Sequence, residues 1–335
     1  MKKDKNTNRY NNPPPFLAGR SKPATIGEWI TLVADNLQTE EICLENGSQE
    51  PYLEAEYLIC YAFSIAFNEI EQRLDQPPPD DAANRVAPIW DNRINKRLPA
   101  AYITQEAFFA GERFFVDERV LIPRSRFENI FDDEEGFDAL LETGQVSHIL
   151  DLCTGSGCLA IILARTFPHA QVDGADISPL ALQVAQINRD HFKLGSQLQL
   201  IESDLFQGLS GKTYDLIVTN PPYVSTQTMD TLPPEYRHEP ALALAAGAQG
   251  LDLIIPLLQQ AVDHLKPGGL LLCEVGDETQ EIMETCWPDF PGDWLLFHFG
   301  GSGLFAIDRE QLSQWLTVRG SLDHPKTAPS PSKDL

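Results

Sequence analysis

The stretch ILDLCTGSG, residues 149 to 157, is the pattern from which the fold can be predicted. A short apolar run containing Asp151 leads directly into Gly155-Ser156-Gly157, and the residues that follow, CLAIILARTF, predict a helix. Glycines at such a point let the backbone turn tightly and let a ligand approach it closely. Since the third glycine of a dinucleotide-binding turn is missing, the pattern is also typical of an ordinary strand-to-helix turn.

Strands and helices alternate along the chain from about residue 146 onward. After the first pair come AQVDGADIS and PLALQVAQINRDHF, then LQLIESD, YDLIVTN, DLIIPLLQQAVDHL, LLLCEV and DETQEIMETC. Continuous apolar strands in this alternation indicate an α/β fold with a mostly parallel sheet that is covered on both faces. The two closing strands, DWLLFHF and SGLFAID, are joined by a segment too short for a crossover helix, so one of them should be antiparallel.

The first hundred residues follow a different pattern. TIGEWITLVADNL and YLEAEYLICYAFSI carry apolar residues at mixed three- and four-residue spacings, which predicts helices. Further on, Gly111 separates two aromatic pairs in EAFFAGERFF, which predicts a β-hairpin. The predicted organisation is a disordered arm at 1–22, a small helical domain at 23–105, a hairpin linker at 106–125, an α/β domain at 126–320 and a disordered tail at 321–335.

The charge of the chain limits its partners. Among 335 residues, 49 are Asp or Glu and 25 are Lys or Arg, for a formal net charge of −24. A chain this acidic has no general attraction for a phosphate backbone, so we expect no direct DNA binding and favour a basic protein partner.

The seven histidines and six cysteines lack metal-ligand spacing, so no metal site is expected. No apolar run has the length of a membrane helix or a signal peptide, so the expected location is the cytoplasm, with no membrane partner.

Three carboxylates fall at the ends of successive predicted strands. Asp151 precedes the glycines, Asp176 ends AQVDGAD, and Asp204 ends LQLIESD. Open α/β sheets bind ligands at the carboxyl ends of their strands, and an acid about 20 residues beyond the glycines can accept both hydroxyls of a ribose. A carboxylate at Asp151 suits a cationic amine and not a pyrophosphate. A ligand with a ribose, an ammonium group and no phosphate meets these conditions, and S-adenosylmethionine is such a ligand.

The fourth strand ends in Asn220-Pro221-Pro222-Tyr223, within DLIVTNPPYVST. Asn-Pro and Pro-Pro are common turn signals, so a plain turn is one interpretation. The other interpretation is chemical. An Asn carboxamide offers a donor and an acceptor, the carbonyl of Pro221 is held rigidly, and Tyr223 can stack on a flat group. These groups can hold a planar amide or amine nitrogen in line with a methyl donor, which is catalysis by proximity and orientation.

Several of these motifs together resemble one family, the HemK-like N5-glutamine methyltransferases. The resemblance covers roughly residues 23–320 and rests on ILDLCTGSG, DISPLAL, SDLF, DLIVTNPPYV, EYRHEPALALAAGAQGLD and LLCEVG. It implies a Rossmann-like class I S-adenosylmethionine-dependent methyltransferase sheet at 126–320 and substrate recognition by the helical domain at 23–105. It also implies methylation of a protein glutamine, although the Asn-Pro-Pro-Tyr tetrapeptide occurs in adenine-N6 methyltransferases of nucleic acid as well.

Two branches of the family differ in substrate, one methylating ribosomal protein uL3 of the large subunit and the other the Gly-Gly-Gln motif of peptide release factors. RLPAAYIT, VDERVLIPRS and EYRHEP resemble the ribosomal-protein branch. The release-factor branch typically carries Pro-Glu-Thr after Ile-Pro-Arg, where this chain has Ser125-Arg126-Phe127. This departure favours uL3 as the substrate, with release factors as the alternative.

The resemblance also assigns roles to individual residues. The implied cofactor-binding residues are Asp151, Thr154, Gly155, Ser156, Gly157, Asp176, Ile177, Asp204, Leu205 and Asn220. The implied catalytic residues are Asn220, Pro221 and Tyr223, and the implied substrate-binding residues are Asn220, Pro221, Pro222, Tyr223 and Glu239. For Glu239, an ordinary salt bridge is an equally good interpretation.

Overall fold

The computed structural model describes residues 15–17, 21–44, 50–132, 136–141, 145–296, 303–320 and 322. The chain divides into two compact units. The helical unit contains the residues up to Gln105 together with Pro233–His238, and the sheet unit contains Glu106–Leu232 and the chain from Glu239 onward. In these described segments, none of the helices has the length and apolar character that a membrane crossing requires.

Four helices form the helical unit: α1 Ile26–Thr39, α2 Pro51–Phe63, α3 Ala82–Trp90 and α4 Ala100–Thr104. Thr25 caps α1 as its sequence position suggests, since its Oγ1 accepts the N–H of Glu28 at 3.2 Å. Trp29 is fully buried at the centre of this unit's core. Most of the predicted N-terminal arm lies outside the described residues, but Phe16 is buried and its ring centroid lies 6.1 Å from that of Trp29.

A buried group of charged side chains joins the inserted segment Pro233–His238 to the rest of the helical unit. Arg93 is 1% exposed and its Nε donates to Oε1 of Glu54 at 2.6 Å. Oε1 of Glu235, also 1% exposed, lies 3.6 Å from Nη1 of Arg93 and accepts the N–H of Cys43 at 3.2 Å. Breaking such a buried pair leaves an uncompensated charge in the interior, so Arg93 strongly restrains the inserted segment.

The sheet unit begins with an antiparallel hairpin and continues with a seven-stranded sheet. The hairpin strands are β1 Glu106–Phe109 and β2 Glu112–Phe115. The sheet strands are β3 His148–Leu152, β4 Gln171–Asp176, β5 Leu198–Glu202, β6 Tyr214–Thr219, β7 Leu265–Glu274, β8 Asp293–Trp294 and β9 Leu304–Asp308. The helices are α5 Glu128–Asp132, α6 Cys158–Thr166, α7 Pro179–His191, α8 Thr226–Met229, α9 Ile254–His264, α10 Asp277–Cys286 and α11 Arg309–Arg319.

The strand order confirms the predicted Rossmann-like class I methyltransferase sheet. The order is β5-β4-β3-β6-β7-β9-β8, and the five strands from β3 to β7 are mutually parallel. The last strand in the chain, β9, is antiparallel to both of its neighbours, as predicted. In β3 and β6, successive residues such as Ile149 and Leu150 enter separate apolar cores, which is why these two strands are largely apolar.

Helix α11 was not predicted from the sequence. Its N-terminus is a capping box in which Oδ1 of Asp308 accepts the N–H of Gln311 at 2.7 Å and Gln311 Oε1 accepts the N–H of Asp308 at 3.3 Å. Leu312 and Trp315 bury its apolar side. The capping box was a local signal that could have revealed this helix, whereas its two buried residues make the apolar periodicity weak.

Candidate active site

A cleft opens at the carboxyl edge of the parallel strands. It encloses about 830 Å³ including its open mouth, a volume within the usual range for small-molecule sites. Its walls come from the segment after the hairpin, from the turns that follow β3, β4, β5 and β6, and from the segment after Glu239. The lining residues are Arg119, Val120, Leu121, Leu152, Cys153, Gly155, Asp176, Ile177, Ser178, Ala181, Ser203, Asp204, Leu205, Asn220, Pro222, Pro240, Leu242, Ala243 and Leu253.

The glycine turn forms the floor of this cleft. Gly155 has φ of +55°, and no atom lies within 4 Å of the position a Cβ would take, so the cleft side of this residue is open to a ligand. Gly157 has φ of +79°, and a Cβ there would lie 3.0 Å from Cβ of Ala185. Gly155 therefore permits close approach of a ligand, whereas Gly157 permits close packing of α6 against α7.

Asp151 stabilises the turn from beneath. It is 1% exposed and is not among the residues that line the cleft. Its Oδ2 accepts the hydroxyl of Thr154 at 2.6 Å and the N–H of Ala160 at 3.0 Å. Burial raises the pKa of Asp151 to about 7, although both hydrogen bonds oppose this. Asp151 and the buried Thr154 thus hold the glycine turn in shape, and Ser156 is buried with them.

Asp176 lines the cleft at the end of β4. Its Oδ2 accepts the N–H of Gly155 at 2.9 Å and its Oδ1 accepts the N–H of Ser178 at 2.8 Å. Each oxygen thus keeps a further lone pair for a ligand. Burial raises the pKa of this carboxyl above its usual value, against the effect of its backbone hydrogen bonds. Beside it, Ile177 is 48% exposed at the mouth of the cleft.

Asp204 and Leu205 line the cleft after β5. Asp204 is exposed, and its Oδ2 accepts a hydrogen bond from Nε2 of Gln207 at 3.0 Å. Leu205 is 9% exposed and has φ of +46°, which is uncommon for a branched side chain. The structure therefore brings the second and third predicted strand-end residues to the same cleft.

The Asn-Pro-Pro-Tyr tetrapeptide follows β6 at the same edge. Asn220 and Pro222 line the cleft, whereas Pro221 and Tyr223 do not. Asn220 is half-buried, and among the described residues its carboxamide has no hydrogen-bond partner. The carboxamide is thus free to bind a polar group in the cleft, a role that the plain-turn interpretation does not require.

Tyr223 packs behind the cleft. A Cβ on Gly276 would lie 2.9 Å from Cδ2 of Tyr223, so the ring rests on the glycine backbone. The Tyr223 carbonyl accepts the hydroxyl of Thr279 at 3.0 Å. Burial, followed by the nearby charge of Glu274, raises the pKa of Tyr223 to about 12, so the phenol is protonated at neutral pH.

Glu239 is a buried carboxylate that is ion-paired with the partly exposed Arg124. Its side chain is fully buried, and Oε1 lies 2.9 Å from Nη1 of Arg124. Its Oε2 also accepts the N–H of Ile122 at 3.0 Å. Glu239 therefore anchors the segment that continues through Pro240 to the cleft wall, and its carboxylate is engaged within the protein.

Sequence reasoning missed two groups of site residues. Arg119, Val120 and Leu121 line the cleft, although the sequence only suggested that they belong to a linker. Leu242 and Ala243 form another wall together with Pro240, the one residue of this group that the resemblance had already placed on the substrate side. Both groups lie within stretches that carry the family resemblance, VDERVLIPRS and EYRHEPALAL, and this was the signal that could have found them.

No group of His, Cys, Asp or Glu side chains within the described segments is arranged to hold a metal ion.

Comparison with known proteins identifies the family of this chain. The family model of the methyltransferase small domain matches residues 134–233. The ribosomal protein uL3 glutamine methyltransferase of Bordetella pertussis is 40% identical over 295 residues, which is 88% of this chain and 98% of that protein. Its counterpart in Xanthomonas campestris is 45% identical over 228 residues, which is 68% of this chain and 73% of that protein.

Among solved structures, the 16S rRNA N2 G1207 methyltransferase of T. thermophilus is 19% identical and covers 61% of this chain and 49% of its own, with a TM-score of 0.42. The curated relatives are much nearer, and the Bordetella protein matches along almost its whole length. The chain therefore belongs to the family of ribosomal protein uL3 glutamine methyltransferases.

Proposed function

We propose that this protein transfers a methyl group from S-adenosylmethionine to the side-chain amide nitrogen of a glutamine in ribosomal protein uL3. The observation that carries the proposal is the carboxamide of Asn220, which is without a partner among the described residues and lies in the cleft beside the glycine turn. The relatives that match nearly end to end are named for this reaction on uL3. Because the substrate is a ribosomal protein, we place the reaction in the cytoplasm.

The residues of the cleft fit S-adenosylmethionine. We assign the ribose hydroxyls to Asp176, whose oxygens each keep a lone pair, and the adenine end to Ile177, Asp204 and Leu205. Arg119 is the one cationic side chain among the described lining residues, and its guanidinium already donates to Asp117 at 2.6 to 3.1 Å. Because this guanidinium is already paired with a carboxylate, the cleft has little positive charge to bind a phosphate, and a ligand without phosphate suits it.

Asn220 and Pro221 would hold the target amide. The Asn220 carbonyl can accept one N–H of the glutamine amide. Pro221 is buried and does not itself line the cleft, and the resemblance assigns the other N–H to its rigidly held carbonyl. When bound, S-adenosylmethionine supplies an activated methyl group on a sulfonium sulfur. In the transfer the sulfur–carbon bond breaks and a nitrogen–carbon bond forms, and the amide nitrogen then loses a proton to solvent. The protein's contribution is therefore proximity and orientation.

We assign recognition of the ribosomal protein to the helical unit. Four large apolar side chains of this unit are exposed at 43 to 52%, namely Tyr52, Leu53, Tyr61 and Phe67. Exposed tyrosines are typical of recognition surfaces because they add contact area at a low cost in conformational entropy. The net charge of −24 adds a general attraction for a basic polypeptide.

The test is methyl transfer to defined substrates. Purified protein is incubated with methyl-labelled S-adenosylmethionine and uL3 from cells lacking this enzyme, in parallel with release factor and with DNA and RNA oligonucleotides. We expect one methyl group on one glutamine of uL3, located by mass spectrometry, and none with Asn220→Ala. Label on release factor or on an oligonucleotide, with none on uL3, would contradict the proposal.

A further inference from the structure

The segment Arg124-Ser125-Arg126 contacts the turn that follows β7. The hydroxyl of Ser125 donates to Oε2 of Glu274, and the N–H of Arg126 donates to the same oxygen at 3.1 Å. The guanidinium of Arg126 reaches further along the turn, donating to the carbonyl of Val275 at 3.2 Å and to Asp277 at 2.8 Å. Two adjacent residues thus hold a turn about 150 positions away in sequence.

Glu274 is the central residue of this arrangement. It is 3% exposed and ends β7. Because Thr219, the last residue of β6, pairs with Cys273, Asn220 follows β6 at the level of Glu274. Burial raises the pKa of Glu274 to about 7, whereas the hydrogen bond from Ser125 and the charge of Arg126 lower it. A buried carboxylate requires such donors, since an unpaired one carries a large desolvation cost.

The turn also supports Tyr223. The ring of Tyr223 rests on the backbone of Gly276, two residues after Glu274. The carbonyl of Tyr223 accepts a hydrogen bond from the hydroxyl of Thr279, in the first turn of α10. A shift of the turn therefore moves the surface on which this ring lies. Close packing passes such a shift on to its neighbours, because interiors leave few voids to absorb it.

We propose that Ser125 and Arg126 are positioning residues of the target-amide site, which act on Tyr223 through Glu274 and the turn after β7. The inference rests on the proposed function, because it explains how the Asn-Pro-Pro-Tyr site is held in place for amide transfer. It also gives a role to the Ser125-Arg126 pair, which replaces the residues typical of the release-factor branch. Ser125 and Arg126 themselves do not line the cleft.

The first experiment measures turnover. We expect Ser125→Ala to lower kcat on uL3 about tenfold or more, since small misplacements of reacting groups have large effects on rate. The Kd of the cofactor should stay within about twofold, and Ser125→Thr, which keeps the hydroxyl, should restore most of the activity. Ser147→Ala is the matched control, because Ser147 Oγ also donates to a carboxylate, Oδ2 of Asp215 at 2.9 Å, at the opposite edge of the sheet.

A double-mutant cycle separates positioning from general destabilisation. If Ser125 acts through Tyr223, Ser125→Ala should have almost no further effect on kcat in a Tyr223→Ala protein. Full additivity of the two losses, or equal losses in Ser125→Ala and Ser147→Ala, would overturn the inference.

A second readout does not depend on the substrate. With 3-fluorotyrosine placed at position 223 of the full chain, the fluorine resonance should shift in Ser125→Ala and stay unchanged in Ser147→Ala. An unchanged resonance in Ser125→Ala would overturn the inference even if uL3 is methylated. Absence of uL3 methylation by the unsubstituted protein would instead refute the proposed function alone.

Discussion

Replacing Asp176 with Asn tests the cofactor assignment most directly. In the folded protein each oxygen of Asp176 accepts one backbone N–H, from Gly155 at 2.9 Å and from Ser178 at 2.8 Å. An Asn side chain has a single carbonyl oxygen, so it can accept from one of these donors while its NH₂ group faces the other. A fully buried donor that loses its partner costs about 1–3 kcal/mol. Because both donors are only partly buried, we expect the ligand-free protein to be destabilised by at most that amount.

Asp176→Asn should also weaken binding of the cofactor. The ribose hydroxyls are assigned to the remaining lone pairs of the two Asp176 oxygens. The Asn side chain of the variant has a single oxygen, so it can accept from only one of the two hydroxyls. A hydrogen bond to a charged group contributes about 1.5–3 kcal/mol, so the loss of one should weaken binding roughly 10- to 150-fold. Isothermal titration with S-adenosylhomocysteine measures this change, and urea unfolding of the ligand-free protein measures the loss of stability.

Asp215→Asn is the control for Asp176→Asn. Oδ2 of Asp215 accepts the N–H groups of Ser147 and His148 at 2.9 and 2.8 Å, so this carboxylate, like that of Asp176, accepts two backbone hydrogen bonds. Asp215 lies near the start of β6, however, at the edge of the sheet opposite to the cleft. We expect this variant to lose stability and to keep its cofactor affinity. An Asp176→Asn protein whose Kd stays within about twofold of the unsubstituted protein would show that Asp176 only shapes the turn.

The pH dependence offers an independent check on Asp176. The ionised carboxylate is the better acceptor for ribose hydroxyls, so cofactor affinity should fall as the pH drops through the pKa of Asp176 in the free protein. Burial raises that pKa, and the fall should therefore begin at a higher pH than for an exposed aspartate. Asp176→Asn should lack this component of the pH profile.

Asn220→Ala should leave the Kd of the cofactor within about threefold and lower kcat about 100-fold or more, as measured by single-turnover methylation of uL3; near-normal turnover would refute the role of this carboxamide. Partial burial alone would raise the pKa of Asp215, but hydrogen bonds from Lys266, Ser147 and His148 together lower it to about 2. A carboxyl whose pKa is lowered by folding stabilises the protein at pH values above its pKa in the unfolded chain, and this stabilisation is lost as the pH falls through the lowered pKa. The unfolding free energies of the unsubstituted protein and Asp215→Asn should therefore differ by at most about 2 kcal/mol, and the difference should disappear between about pH 4 and pH 2. Urea titrations at a series of pH values measure it. The KM for uL3 should rise severalfold between about 50 and 300 mM salt, because the charge of −24 attracts a basic substrate; a KM independent of salt would show that the attraction plays no part.

The fold was predictable because its information is local. The central strands β3 and β6 are short, largely apolar runs that enter apolar cores on both faces, and β3, β4 and β7 are each followed by a turn and a helix. The parallel direction of the strands therefore follows from general rules of chain connection, whereas their order came only with the family resemblance. Helix α11 was missed for a local reason as well. Only Leu312 and Trp315 are buried, and they are too few to give a clear period, while the capping residues Asp308 and Gln311 were overlooked.

The site was predictable only as far as topology determines it. Parallel strands bring their carboxyl ends to one edge, so Asp176, Asp204 and Asn220 could be placed together before any coordinates were known. Topology does not give the direction of a side chain. Asp151 is the residue before the last in the neighbouring strand β3, but its carboxylate does not face the cleft. It accepts hydrogen bonds from Thr154 and from the first turn of α6.

Partners that are distant in sequence were beyond prediction for the same reason. Arg124 and Glu239 are 115 positions apart, and Ser125 and Glu274 are 149 apart. A single sequence carries no periodicity that links such positions, so Glu239 could be interpreted equally well as a substrate ligand or as an ion-pair partner. Its contacts favour the ion pair, because both oxygens are engaged by Arg124 and by the N–H of Ile122.

Substrate choice cannot reside in the Asn-Pro-Pro-Tyr tetrapeptide itself. Its carboxamide and carbonyl offer the same acceptors to a glutamine amide and to an adenine amine, so discrimination has to come from what surrounds it. A nucleic acid would need cations near the cleft, but over the described lining the single guanidinium, that of Arg119, is paired with Asp117. A basic polypeptide meets the opposite situation, since the carboxylates that repel phosphate attract lysine and arginine. The tetrapeptide thus defines the type of nitrogen, and the charge around it favours a basic protein over a nucleic acid as the molecule that carries this nitrogen.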